Sequence, residues 1–174
     1  MKRVLCIILL ALLFAASCSV NESSYDHVPS MDTGIGVDSA GRYITIEPSE
    51  AEFYYRKDGR KNSEVFDKEI RATVHDTKDS KTGFHFYWVH IAEPVPDKVT
   101  VYYSKIQDSY EEGDYLFLAE YDEKSDYYNS EYGMLSPIKT QNGFCYKIIA
   151  EWSKKKYYVT GYYGTAVYYV YFDN

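Results

Sequence analysis

Short runs of apolar residues, many alternating with polar ones, recur along this chain from residue 42 to its end. RYITIE (42–47), EIRATVH (69–75), FHFYWVHI (84–91), KVTVYYS (98–104) and DYLFLAEY (114–121) are followed by FCYKIIAEW (144–152), KYYVTGYY (156–163) and AVYYVYF (166–172), with AEFYYR (51–56) as a further candidate. Each is of strand length, rich in β-branched and aromatic residues, and bounded by turn formers. Period-two alternation assigns faces. Phe144, Tyr146, Ile148, Ala150 and Trp152 share one side of their strand, as do Ile70, Ala72 and Val74, and Val99, Val101 and Tyr103. Half-apolar strands belong to antiparallel sheets with one face on the core, since parallel strands read as unbroken apolar runs with helices between them. The expected core therefore includes Ile70, Val74, Val101, Phe144, Ile148 and Trp152. Asp58-Gly59 and Asn142-Gly143 are turn pairs, Gly161 and Gly164 bracket two tyrosines, and Lys154–Lys156 form the tip of a turn.

Seven to nine short strands in about 130 residues fit a single all-β domain, an antiparallel β-sandwich of immunoglobulin-like type. A closed lipocalin-like β-barrel is the alternative, because strand count alone does not separate the two. The segment from Phe144 to Phe172 resembles the last hairpins of immunoglobulin-like domains on exported bacterial proteins, a generic likeness that names no family.

The N-terminus follows a different pattern. Lys2 and Arg3 precede an apolar run from Val4 to Ala16, shorter than the ~20 residues a spanning helix needs, and small residues lead to Cys18. Ala15-Ala16-Ser17-Cys18 resembles the lipobox of bacterial lipoproteins, with Ala15 where that motif usually has a branched residue. The resemblance implies a signal peptide over residues 1–17 and two or three acyl chains on Cys18, enough for stable anchoring. The protein is then expected in the bacterial cell envelope, membrane-anchored and facing periplasm or exterior. Residues 18–41, rich in Ser, Asp and Gly, read as a lipidated N-terminus and flexible tether, and residues 42–174 as the domain. With Cys6 and Cys18 so disposed of, Cys145 is left with no disulfide partner, and the fold rests on its core.

Composition narrows the function classes. A net charge of −7 without a basic stripe argues against nucleic acid. No nucleophile elbow, phosphate loop or H-E-x-x-H motif is present, so no catalytic residue, metal ligand or cofactor is assigned and the protein is expected not to be an enzyme. His85 and His90 are separated by an odd number and fall on opposite faces of one strand. The acidic groups Asp108, Glu111, Glu112, Asp114 and Asp122, Glu123, Asp126 lack calcium-loop spacing and read as solvated loops. Paired carboxylates among them keep a carboxylate-based hydrolase as an alternative.

Tyrosine is the distinctive feature. The chain has 21, often in adjacent pairs that a strand would send to opposite faces. Most are expected to stabilise sheets through cross-strand contacts, while exposed rings suit a binding face for protein or glycan. In AVYYVYF the phase Ala166, Tyr168, Val170 and Phe172 suits the core, which leaves Tyr169 and Tyr171 to point outward. Tyr157 or Tyr158, on a neighbouring strand, would extend them into a ligand-binding patch. The leading expectation is a non-catalytic binding or adhesion module on a lipoprotein, with a structural accessory subunit of an envelope assembly as the alternative.

Overall fold

A computed structural model describes residues 23, 25–35, 43–67, 70, 72–74, 85–91, 94–109, 111–125, 128–129, 134–141 and 143–172. Two sheets pack face to face. One has the strand order β2-β1-β6-β10-β9, formed by β1 (Met31–Ile35), β2 (Tyr43–Ile46), β6 (His85–Ile91), β9 (Tyr128–Asn129) and β10 (Met134–Thr140). The other runs β4-β3-β12-β11-β7-β8, from β3 (Glu50–Lys57), β4 (Arg60–Asp67), β7 (Lys98–Lys105), β8 (Leu116–Asp122), β11 (Phe144–Trp152) and β12 (Tyr162–Phe172), with β5 (Ala72–Val74) added beside the end of β12. Both sheets are open, so the molecule is an all-β sandwich and not a barrel.

Alternation places the core. Val99, Val101, Ile148, Ala150, Trp152, Ala166, Tyr168, Val170 and Phe172 from the larger sheet meet Met31, Ile46 and Ile91 from the smaller one. Phe53 and Trp152 pack edge to face at 5.5 Å, and the Trp152 indole N–H donates to the Pro94 carbonyl at 2.7 Å. Tyr168 is buried with its hydroxyl donating to the Pro29 carbonyl at 2.5 Å, and burial pushes its phenol above the usual tyrosine range. Val101, Ile148 and Trp152 are buried as expected, while Phe144 and Ile70 are half-buried at the margin. The side chain of Val74 lies outside the described residues.

The turns follow their glycines. Asp58 and Gly59 both take positive φ, 52° and 70°, which is the twist a two-residue hairpin between β3 and β4 requires. Gly143, at φ 76°, donates its N–H to the Phe172 carbonyl.

Three expectations need correction. The segment KYYVTGYY is not a strand: Lys154–Lys156 form a 3-10 turn, Tyr157–Thr160 a single helical turn (α1), and Gly161 at φ 78° ends it before β12 begins. The Ser153 hydroxyl accepts from the Lys155 N–H and starts the turn, a local bond that overrides strand propensity. Second, β5 pairs with β12 in parallel, so the sheet is not purely antiparallel. Third, residues 18–41 are not all tether: Val28 and Met31 are buried in the core, and β1 pairs with both β2 and β6. Strand β4, on which no expectation was placed, is a full strand although RKNSEVFD has few apolar residues, because the hairpin and its pairing with β3 fix it. Cys18 and the signal segment lie outside the described residues.

Candidate functional site

The outward face of the larger sheet carries the candidate chemistry, and strand register maps it into rows. Tyr163 pairs with Tyr54 and Tyr54 with Ser63; two residues along, Thr165 aligns with Glu151, Lys98 and Asp122 on one side and with Glu52 and Val65 on the other. The next row holds Val167, Ile149, Thr100 and Glu120. After it come Tyr169, Lys147, Tyr102 and Phe117, then Tyr171, Cys145 and Ser104.

At the end where β12 begins, rings and cations interleave. Tyr54 and Tyr163 stack at 4.7 Å with planes 14° apart, and Tyr157 meets Tyr163 edge-on at 5.0 Å. The Lys61 ammonium sits 4.3 Å from the Tyr54 ring centre and 5.2 Å from that of Tyr163, while Lys154 lies 5.5 Å from the Tyr163 ring. The Arg56 guanidinium lies 4.9 Å from the centre of the Tyr157 ring. The neighbouring Tyr163 hydroxyl raises the Lys61 ammonium above the usual lysine range. The Tyr157 hydroxyl is buried without a hydrogen-bond partner among the described residues. Next to it Tyr158 is 80% exposed and Val159 73%.

The middle rows are a polar band. Lys98 pairs with Glu151 and lies 3.7 Å from Glu120. Beyond them a second aromatic group begins, about 20 Å from the first by six residues of strand rise. Tyr115 and Tyr169 are 6.1 Å apart, the Lys147 ammonium lies within 5.8 Å of both ring centres, and Tyr102 meets Phe117 edge-on at 6.0 Å. The Tyr169 hydroxyl donates to a Glu50 carboxylate oxygen at 2.9 Å. Phe117 and Leu116, on the edge strand β8, are 60% and 57% exposed, and Leu118 and Ile106 are exposed beside them.

The four tyrosines expected to form one patch are thus divided. Tyr169 is half-buried within the second group, and Tyr171 is only 7% exposed. Tyr171 has the outward phase, but its row is covered: Cys145 and Ser104 beside it are buried too, and the Tyr115 hydroxyl lies 3.9 Å from the Cys145 sulfur. Alternation assigns a face; it does not say whether a loop lies on that face. Tyr157 and Tyr158 belong to the first group, at the opposite end of β12. Exposed Leu116 and Phe117 were missed because DYLFLAEY reads as an ordinary core strand. Their exposure comes from the edge position of β8 and from a register shift between Val101 and Tyr102.

The acidic loops are tied into turns. The Asp114 carboxylate accepts from the Gln107 side chain and from the Glu111 N–H, both at 2.7 Å, and Asp122 accepts from the Lys124 N–H at 2.9 Å. That backbone bond, the largest cause, holds the Asp122 carboxyl below the usual range. Among the described residues no three His, Cys, Asp or Glu side chains converge to hold a metal, and no helix is long and apolar enough to cross a membrane. The chain matches no protein-family model, no curated protein and no solved structure.

Proposed function

We propose that this chain is a bacterial cell-envelope lipoprotein, anchored through acylated Cys18, whose β-sandwich binds a protein or glycan partner without transforming it. The observation that carries the binding reading is the run of three exposed apolar residues, Leu116, Phe117 and Leu118, on edge strand β8 beside Tyr102 and the Tyr169 group. Soluble domains blunt such an edge with charge or proline, because its unpaired main chain and apolar surface invite association. Aromatic rings that can be desolvated beside a strand edge with no pairing strand among the described residues suit a partner that adds a strand or lays an apolar surface across it. Tyr169, held by Glu50 and Lys147, would support that surface more than form it.

The test is recovery of the intact lipoprotein from its own envelope with whatever is bound to it. Leu116→Ser with Phe117→Ser is expected to lose the partner while the protein stays folded and membrane-bound. Equal recovery of the partner by the double variant would remove β8 from the binding surface. Loss of membrane attachment in Cys18→Ser checks the anchor.

A further inference from the structure

The opposite end of the same face has its own chemistry, and the path of the N-terminal segment says what it faces. Ser23 donates its backbone N–H to the Arg56 carbonyl at 2.8 Å, Asp26 pairs with Lys57, and Tyr25 meets Tyr162 edge-on at 5.5 Å. The N-terminal segment therefore joins the sandwich at the end of β3, next to the first aromatic group. Four residues separate Cys18 from Ser23, and an extended chain advances at most about 3.6 Å per residue, so five steps put the anchor within about 18 Å of this end.

Cations outnumber carboxylates at this end: Arg56, Arg60, Lys61, Lys154 and Lys155 stand with Lys57 against Asp26, Glu52 and Asp58, in a protein of net charge −7. Arg56, Arg60, Lys61, Lys154 and Lys155 make no ion pair with a carboxylate among the described residues, whereas Lys57, Lys98 and Lys156 each do. Directly after the turn of Lys154 and Lys155 in sequence, and with Arg56 over the adjoining Tyr157 ring, α1 presents Tyr158 and Val159, one amphipathic ring and one aliphatic side chain, both largely in solvent. Basic residues around an exposed aromatic and an aliphatic side chain are what a headgroup layer accepts: the cations meet anionic lipid headgroups and the ring settles at the polar-apolar boundary.

We propose that this end, formed by Arg56, Arg60, Lys61, Lys154 and Lys155 around Tyr158 and Val159, docks on an anionic membrane leaflet. The proposal rests on the anchor at Cys18 for its geometry. The sandwich then stands with α1 on the lipid and the β8 corner directed away. Docking adds an electrostatic contact to the acyl chains and fixes orientation, which the chains alone do not do. An anionic glycan is the other chemistry these cations would accept, but the short reach to the anchor favours the bilayer.

The experiment uses the full chain, purified with its acyl group and reconstituted into vesicles of phosphatidylcholine alone or of phosphatidylcholine with phosphatidylglycerol. In a Cys145→Ser background, an environment-sensitive fluorophore is placed at Val159→Cys, and in a second preparation at Asp108→Cys near the far end. The label at 159 is expected to shift to the blue and to be quenched several-fold more than that at 108 by a lipid-borne quencher, in the phosphatidylglycerol vesicles only. High salt, or Lys61→Glu with Lys154→Glu and Lys155→Glu, should abolish the difference. A label at 159 that stays as wet as the label at 108 overturns the docking, even where the anchor stands. The mass of the N-terminal peptide reads acylation separately. If it carries no acyl group, the unacylated chain is added to the same vesicles at high lipid concentration: a shift at 159 upholds the docking, and its absence overturns it. If polygalacturonate, with no lipid present, protects the label at 159 from an aqueous quencher while phosphatidylglycerol does not, the ligand is a glycan and the membrane assignment falls.

Discussion

The two ends of the outward sheet face use the same parts. Each sets tyrosine rings against lysine, and each projects apolar side chains into solvent. They differ in the balance of those parts. At the start of β12 five cations without carboxylate partners among the described residues stand at the end that exposes Tyr158 and Val159, whereas at the β8 corner Lys147 serves two rings, Glu50 holds Tyr169, and the exposed side chains are Leu116, Phe117 and Leu118. Between them lies the band of Lys98, Glu120 and Glu151. The difference teaches that tyrosine content is no guide to function by itself. What surrounds a ring, charge at one end and exposed aliphatic surface at the other, decides what it can meet.

The largest expected effect falls on both ends at once, because one core lies beneath them. Trp152→Ala should cost about 3 to 5 kcal/mol, from lost burial, a residual cavity and the unpaired Pro94 carbonyl. Chemical denaturation would measure it. A stable Trp152→Ala variant would mean that the sandwich does not depend on this contact with Phe53.

A smaller loss separates the ends. A Cβ on Gly164 would lie 2.3 Å from the Glu52 carbonyl oxygen and 2.8 Å from the Phe53 Cα, both backbone atoms that cannot yield without disturbing the β3 to β12 pairing. Gly164→Ala should cost about 2 to 3 kcal/mol. Hydrogen exchange should rise in Glu50–Lys57 and Tyr162–Thr165 and remain low in β7 and β11; uniform loss of protection would contradict a local effect.

Alkaline pH probes the core that both ends share. Burial raises the Tyr168 phenol above its ordinary 10.0, so above that pH the unfolded chain releases a proton that the fold retains. Stability should be full below about pH 10 and fall as pH rises beyond it. Burial raises Tyr121 and Tyr146 in the same direction. Tyr168→Phe should lose about 1 to 2 kcal/mol at neutral pH with the hydrogen bond to Pro29, and should show a shallower alkaline decline. An equal slope in the variant would assign the alkaline loss to other groups.

The smallest effect on stability belongs to the surfaces themselves. Leu116→Ser with Phe117→Ser should change unfolding free energy by no more than about 0.5 kcal/mol, since these side chains are already in water. A large loss would show them to be part of the core, and their exposure would then mean nothing for binding.

The sandwich was readable because alternation reports burial directly. β11 keeps Tyr146, Ile148, Ala150 and Trp152 inside along its whole length, and the final strand keeps Ala166, Tyr168, Val170 and Phe172. Two kinds of information were not in the pattern. Strand β4 owes its place to the Asp58-Gly59 hairpin and to pairing with β3, not to apolar content, and the 3-10 turn that leads into α1 starts on one hydroxyl of Ser153. The division of the tyrosines was equally hidden, because it depends on register. Only the pairing of Tyr169 with Lys147, and of Tyr163 with Tyr54, reveals that Tyr158 and Tyr169 stand at opposite ends.

The central claim is that these ends meet different surroundings. A photo-crosslinking amino acid placed at Tyr158 in one strain and at Phe117 in another, both in the full chain in the cells that make it, distinguishes them. Lipid adducts are expected from position 158 and a discrete protein or glycan adduct from position 117. Lipid at both positions, or the same macromolecule at both, would contradict it.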